Sequence, residues 1–222
     1  MKKMYMWWQI MAKALFCVGI VCATVASNAD TKHRSTTSQP PIDMQKYQRE
    51  IEGSVQLCQT ALATWQAQTK DRPKKPIAVF DIDETLLSNR KLMEKYDYQL
   101  TVEQFHAEVG NSKPTLISES RELLETMRSA GLGIVLITGR KQGVCQQTVQ
   151  QLKANGIPQE AYLAIYCHND LNKPAHYKES VRQELTKAGY TIVFSVSDQM
   201  GDLTGADVGI ACQLPNPFYR VA

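Results

Sequence analysis

Asp81 and Asp83 stand two residues apart in Phe80-Asp81-Ile82-Asp83-Glu84-Thr85-Leu86-Leu87, directly after the apolar run Ile77-Ala78-Val79. In an extended chain the side chains at i and i+2 project to one side, so this spacing lets two carboxylates face one point in space. Carboxylates so placed repel unless a cation or a shared proton relieves them, and the pair suggests Mg²⁺. Three chemistries compete for the stretch. Asp and Thr favour turns and helix starts, so it reads first as a capped strand-to-helix turn. Asp81, Asp83 and Thr85 also occupy the alternate positions of a calcium loop, but that loop wants Gly sixth and Glu twelfth, where this chain has Leu86 and Leu92. The third chemistry is phosphoryl transfer, with Asp81 attacking phosphorus and Asp83 handling the leaving group's proton.

Further residues of the right types stand where other apolar runs end. Ile137-Thr138-Gly139-Arg140 offers a hydroxyl and a flexible backbone N–H leading into a helix start, a natural phosphate cradle. Ser197-Asp198-Gln199-Met200-Gly201-Asp202 spaces two acids so that Asp198, and with it Asp202, can reach the same cation as Asp81. Lys178, in the first turns of a helix, can neutralise a transferring phosphoryl group and its nucleophile. Each element alone has an ordinary reading, as a turn, a helix cap or a solvated surface lysine. Together and in order they describe one site.

The elements that must position these residues alternate along the chain. Asp43 caps a helix expected to run to about Thr69, with Tyr47, Ile51, Val55, Cys58, Leu62 and Trp65 on one packing stripe. Strands are expected at Ile77–Phe80, Gly133–Ile137, Tyr162–Ile165, Thr191–Val196 and Val208–Ala211. Helices are expected near Ser118–Ala130, Gln142–Asn155 and Ala175–Ala188, each followed by a glycine, at 131, 156 and 189. Such alternation predicts an α/β fold, a parallel sheet with helices on both faces. Ligands of such sheets bind at the carboxyl ends of the strands, where the candidate residues stand. Residues 88–115 interrupt the rhythm and predict a small, mostly helical cap over the site. Its Tyr96, Tyr98, Phe105 and His106 serve either to stack a ring of the substrate or as the cap's own core.

At the start of the chain, Lys2, Lys3 and Lys13 flank the apolar run Ala14–Ala26, and Ser27-Asn28-Ala29 follows as a small-residue exit. This reads as a signal peptide over residues 1–29, its apolar run shorter than the roughly 20 residues of a membrane span. The expectation is a periplasmic or secreted protein with no stable membrane anchor after cleavage. Residues 30–42, rich in Ser, Thr and Pro, read as a flexible linker, and 43–222 as the catalytic domain. Removing residues 1–29 takes away three lysines and no acids, leaving 22 basic and 22 acidic residues. No basic field remains for a nucleic acid polymer or an anionic membrane, so the partner expected is a small molecule. Cys58, Cys145, Cys167 and Cys212 remain, open to three full disulfide pairings or to free buried thiols, and no CxxC spacing suggests zinc.

The stretches Phe80–Leu87, Thr138-Gly139-Arg140, Tyr177-Lys178 with Arg182, Ser197–Leu203 and Leu214-Pro215-Asn216-Pro217-Phe218-Tyr219 resemble the haloacid dehalogenase (HAD) superfamily. Within it they are similar to the secreted acid phosphatases related to bacterial class B and C enzymes and plant vegetative storage proteins. The resemblance implies a Rossmann-like, HAD-type sheet and Mg²⁺-dependent hydrolysis of a small-molecule phosphate monoester. It makes Asp81 the nucleophile and a metal ligand. Asp83 becomes the general acid/base, meeting the metal through its backbone carbonyl. Asp198 completes the metal site with Asp202 behind it, while Thr138, Gly139 and Lys178 hold phosphate. Ser197 departs from the Gly common before the last motif's Asp, which bears on backbone approach at the metal. An acid optimum is expected of carboxylate chemistry. A phosphotransferase using the same aspartyl-phosphate, or a non-enzymatic binding or storage relative, fits the same residues.

Overall fold

The structure, a computed structural model, describes residues 42–68, 71–169 and 173–219. The expected signal peptide at 1–29 and all but the last residue of the expected linker lie outside the described residues. In chain order the elements are α1 (Met44–Gln68), β1 (Pro76–Phe80), β2 (Leu87–Ser88), α2 (Arg90–Lys95), α3 (Val102–Glu108), β3 (Thr115–Leu116) and α4 (Ser118–Ser129). There follow β4 (Gly133–Lys141), α5 (Cys145–Ala154), β5 (Ala164–His168), α6 (Pro174–Lys187), β6 (Thr191–Ser197) and β7 (Ile210–Gln213).

Five strands form one sheet in the order β5-β4-β1-β6-β7, and every pairing is parallel. β1 is central because every residue after Pro76 is apolar and buried on both faces. Its alternation sorts the core into two layers. Ala78 and Phe80, with Ile134, Leu136 and Phe194, pack under α1, α4 and α5 through Leu62, Leu123, Met127 and Leu152. Ile77 and Val79, with Val135 and Ile137, pack on α6 through Tyr177, Val181 and Leu185. The expected helices on both faces are therefore present. The chain winds from β1 outward to β5, then returns to β6 on the other side of β1, so the winding reverses between β1 and β6. That reversal opens a crevice at the strands' carboxyl ends.

Local signals act as the sequence suggests. Asp43 Oδ1 accepts from Lys46 N at 2.9 Å and caps α1, whose buried stripe is Tyr47, Ile51, Val55, Cys58 and Leu62. Trp65 extends it, its ring edge-on to Phe194 at 6.5 Å. Gly131 and Gly156 take φ of 88° and 76°, and the bonds Leu132 N to Met127 O and Ile157 N to Leu152 O close α4 and α5; the same device follows α6.

Strand boundaries differ from the expectation by more than one residue in three strands. β4 continues past Ile137 through Lys141, β5 lies at Ala164–His168 rather than Tyr162–Ile165, and β7 begins at Ile210 rather than Val208. The helix expected to start at Gln142 opens as a 3₁₀ turn, Gln142–Val144, before α5. Strand pairing satisfies backbone groups whatever the side chains are, so it outlasts the apolar run.

The insertion contains α2, α3 and a 3₁₀ turn, Val109–Asn111, as the helical cap expectation requires. Its entry and exit pair as a short antiparallel ladder, Leu87 with Leu116 and Ser88 with Thr115. The aromatic residues largely serve the protein itself. Tyr98 stacks on buried Phe218 with centroids 6.1 Å apart, Tyr96 O–H donates to Glu108, and Phe105 meets His106 edge to face. The four cysteines among the described residues are bridged, Cys58 of α1 to Cys212 of β7 and Cys145 of α5 to Cys167 of β5, which removes the free-thiol alternative for them.

Candidate active site

At the end of β1 the chain leaves the sheet in a tight turn. Asp81 N still bonds Val196 O of β6 at 2.9 Å, after which Ile82 O accepts from the N–H groups of Thr85, Leu86 and Leu87. Glu84 sits in the left-handed region at φ 51°. Its buried carboxylate accepts from Asn89 N at 2.6 Å and from Tyr219 O–H at 2.8 Å, which hold the unfavourable backbone in place. Burial first, then the charge of Asp83, pushes the Glu84 carboxyl up to about 8, against the bonds from Asn89 and Tyr219.

The turn sends the two aspartates to different partners. Lys178 Nζ, projecting from α6, donates to Asp81 Oδ1 at 2.6 Å and to Asp202 Oδ2 at 2.5 Å. Asp81 Oδ2 is left with the Thr85 hydroxyl at 3.4 Å. Asp83 is held by other residues. Its Oδ1 accepts from Arg140 Nε at 2.9 Å, Arg140 Nη2 at 2.7 Å and Asn89 Nδ2 at 2.7 Å, while Oδ2 takes only Arg140 Nε at 3.0 Å. The two carboxylates thus take different side-chain partners, as the turn after Ile82 ends the extended geometry.

Asp198, at the end of β6, faces Asp81 across Thr85. Its Oδ1 lies 3.5 Å from Thr85 Oγ1, and its N–H donates to the same hydroxyl at 3.1 Å. Asp198 Oδ2 is occupied by Asn216 Nδ2 at 2.7 Å and by Gln199 Nε2. Asp202 reaches the site through Lys178 and accepts from Ser197 Oγ at 2.7 Å. Ser197, the departure from the family pattern, therefore anchors the acid that holds the lysine. Thr138, fully buried, accepts from Arg140 N at 3.1 Å; Gly139 beside it is half-buried. Thr138 and Gly139 present the end of a strand rather than a helix start, since β4 runs on to Lys141.

Electrostatics decide what the centre needs. Among the described residues, the buried acidic side chains are Asp81, Asp83, Glu84, Asp198 and Asp202, set against Arg140, Lys178 and Arg182. Burial holds the Asp81 carboxyl well above the usual range, Lys178 opposes this, and the charges of Asp202, Asp198 and Asp83 add to it. Asp198 is raised by burial too, against its bonds from Asn216 and Gln199. Burial disfavours the Lys178 ammonium, but Asp81 and Asp202 outweigh it and hold its pKa above the ordinary lysine value. One ammonium does not neutralise these acids. Among the described residues no three His, Cys, Asp or Glu side chains group as a metal site. Asp81 Oδ2 and Asp198 Oδ1, converging on the Thr85 hydroxyl, nevertheless match a hard divalent cation that takes one or two carboxylates and fills its other positions with carbonyl, water and substrate oxygens.

The expected residues Asp81, Asp198, Lys178 and Asp202 come together, with Thr138 on the neighbouring strand and Asp83 joined to Arg140 and Asn89. Arg140, Thr85, Asn89 and Asn216 were not singled out as site residues by the sequence reading, although Thr85, Arg140 and Asn216 lie in the stretches that carry the resemblance. Arg140 is fully buried, and a buried guanidinium needs a carboxylate, which Asp83 supplies.

The family model for HAD superfamily, subfamily IIIB (acid phosphatase), matches residues 4–222. Vegetative storage protein 1 of Arabidopsis thaliana is 34% identical over 148 residues, 64% of this chain and 54% of the relative. Acid phosphatase 1 of Solanum lycopersicum is 30% identical over 152 residues, 66% of this chain and 60% of the relative. The chain thus matches between half and two thirds of the length of these relatives. The class C acid phosphatase from Bacillus anthracis with tungstate bound shares the fold, with a TM-score of 0.63 and 23% identity over 79% of this chain and 80% of that one. Because the matched span carries every strand end that builds the site, from Asp81 to Asn216, the chain belongs to the HAD superfamily, subfamily IIIB (acid phosphatase).

Proposed function

We propose that the protein hydrolyses small-molecule phosphate monoesters in a Mg²⁺-dependent reaction through an aspartyl-phosphate on Asp81. The observation that carries this reading is the Lys178 ammonium held between Asp81 and Asp202, with Asp198 facing Asp81 across Thr85. Lys178 orients the Asp81 carboxylate by holding Oδ1. A phosphate bound against Lys178 and the Thr138 hydroxyl has its charge partly neutralised before attack. A carboxylate oxygen of Asp81 bonds phosphorus while the phosphorus–oxygen bond to the leaving group breaks, and Asp83 gives that oxygen its proton. Asp83 Oδ2 is the oxygen suited to this, because Oδ1 already takes three donors. Water then attacks phosphorus, Asp83 takes its proton, and inorganic phosphate leaves with Asp81 restored. Asp81, Asp198 and the Asp83 carbonyl would hold Mg²⁺, which would supply charge stabilisation on the phosphoryl oxygens.

The same reading includes export. The two disulfides suit an oxidising compartment, and no helix among the described residues is long and apolar enough to cross a membrane. The test is release of phosphate from an aryl phosphate with Mg²⁺, with a chelator, and by Asp81→Asn. Activity that needs both metal and Asp81 supports the mechanism; activity untouched by Asp81→Asn sinks it. The likeness to a vegetative storage protein favours one second reading, a storage role. That reading calls for no turnover at all by the folded, Mg²⁺-loaded protein.

A further inference from the structure

Gln151 is buried on α5, belongs to no motif and touches none of the groups that would meet a substrate. Its amide nevertheless bridges two parts of the molecule. The oxygen accepts from Arg140 Nη1 at 2.5 Å, on the guanidinium whose Nε and Nη2 hold Asp83. The nitrogen donates to Val109 O at 2.8 Å, Ser112 O at 2.9 Å and Gly110 O at 3.3 Å, all in the 3₁₀ turn and exit strand of the cap. The amide orientation follows from chemistry, since only its oxygen can face a guanidinium and only its nitrogen can face carbonyls. Asn155, one turn on, adds a bond to Pro114 O at 3.3 Å, so α5 seats the whole exit of the cap.

We infer that Gln151 is a positioning residue that couples the cap to the general acid, setting the roll of the Arg140 guanidinium and thereby which oxygen of Asp83 stays free. Resting on the phosphatase reading above, the inference assigns a role to a residue that reading does not use. A guanidinium is a rigid planar fork, so fixing Nη1 from behind fixes the plane in which Nε and Nη2 meet the carboxylate. Arg140 Nη1 also lies 3.3 Å from Thr148 Oγ1, which makes α5 the whole back wall of the fork. A shift of the cap carbonyls is transmitted through one amide to Asp83. A carboxylic acid residue at 151 would accept from Arg140 but repel the carbonyls, and an apolar one would do neither.

The test separates protonation of the leaving group from every other step. Gln151→Met keeps the volume and removes both contacts; Gln151→Glu introduces a second carboxylate that competes with Asp83 for the guanidinium. For each, kcat/KM is measured with p-nitrophenyl phosphate, whose leaving group needs no proton, and with glycerol phosphate, whose leaving group does. Thermal unfolding confirms that each variant is folded. Positioned acid–base groups contribute roughly 10²- to 10⁴-fold, so loss of orientation is expected to lower kcat/KM for the alkyl ester by about tenfold and leave the aryl ester within about twofold. Equal losses on both esters, or none on either, in whichever variant folds, overturn the inference while leaving the phosphatase reading standing. Wild-type protein inactive on both esters overturns the phosphatase reading itself, and the inference falls with it.

Discussion

The two aspartates of the first motif live in different halves of the molecule. Asp81 is wired to the sheet and α6, through Lys178, which Asp202 and Ser197 brace from the end of β6. Arg182 adds a further brace there, donating to Asp202 O at 2.9 Å and Thr204 O at 2.8 Å. Asp83 is wired to α5 and, through Arg140 and Gln151, to the inserted cap. The Asp81 half is thus built wholly from the core, while the Asp83 half includes the inserted cap. Under the proposed mechanism, chemistry that every substrate shares belongs to the core, and chemistry that depends on the leaving group is tied to the insertion.

Changes on the Asp81 side should cost activity on all esters alike. Asp81→Asn removes the nucleophile and is expected to lower kcat by at least about 10³-fold, measured in a phosphate-release assay on aryl and alkyl esters together. Lys178→Met comes next. It strips a phosphate-neutralising charge, for a loss on the order of 10²- to 10³-fold. It also leaves Asp81 and Asp202 as unpaired buried acids, destabilising the fold by about 3–5 kcal/mol in a denaturant titration. Equal losses on both esters are expected from these two variants; selective loss on the alkyl ester would erase the distinction between the halves.

Arg140→Lys sharpens the comparison from the other side. It keeps the charge and loses the fork, so it should lower kcat/KM by about 10- to 100-fold for glycerol phosphate and much less for p-nitrophenyl phosphate. The smallest effect on turnover belongs to the disulfides. Cys58 and Cys212 are 154 residues apart in sequence, and in the chain-entropy view their bridge stabilises by about 5 kcal/mol, against about 3 for the 22-residue span of Cys145–Cys167. Replacing Cys58 and Cys212 by Ala should lower the denaturation midpoint more than replacing the other pair. The ratio of aryl to alkyl activity should stay constant, and a change in that ratio would tie the α1–β7 staple to the chemistry.

Much of this was legible before any coordinates. Strand β1, the helix ends and the order of the motif residues are local features, set by apolar runs, caps and residue type, and they appear where the spacing puts them. What the sequence hid is long-range and polar. Nothing near Arg140 says that its guanidinium turns back 57 residues along the chain to Asp83, and Thr138-Gly139-Arg140 reads naturally as a backbone feature. Ser197 looks like a disturbance until its hydroxyl is seen on Asp202. The spacing of Asp81 and Asp83 assumes that the strand goes on, whereas the left-handed Glu84 ends it and the two carboxylates take different partners. Cysteine pairing depends on which strand lies beside α1, a fact of topology rather than spacing.

The ladder of Leu87 with Leu116 and Ser88 with Thr115 gives the cap a neck two residue pairs wide. Seen from the sheet, everything between those pairs is a single excursion whose ends are already tied together. Lengthening a closed excursion costs little, about 0.6 kcal/mol for each doubling. The neck therefore makes residues 89–114 an exchangeable cassette, one in which the reach over the crevice can be redrawn without retuning a strand. A replacement must still reproduce Asn89, which donates to Asp83 and Glu84, and a run of carbonyls where Gln151 expects them.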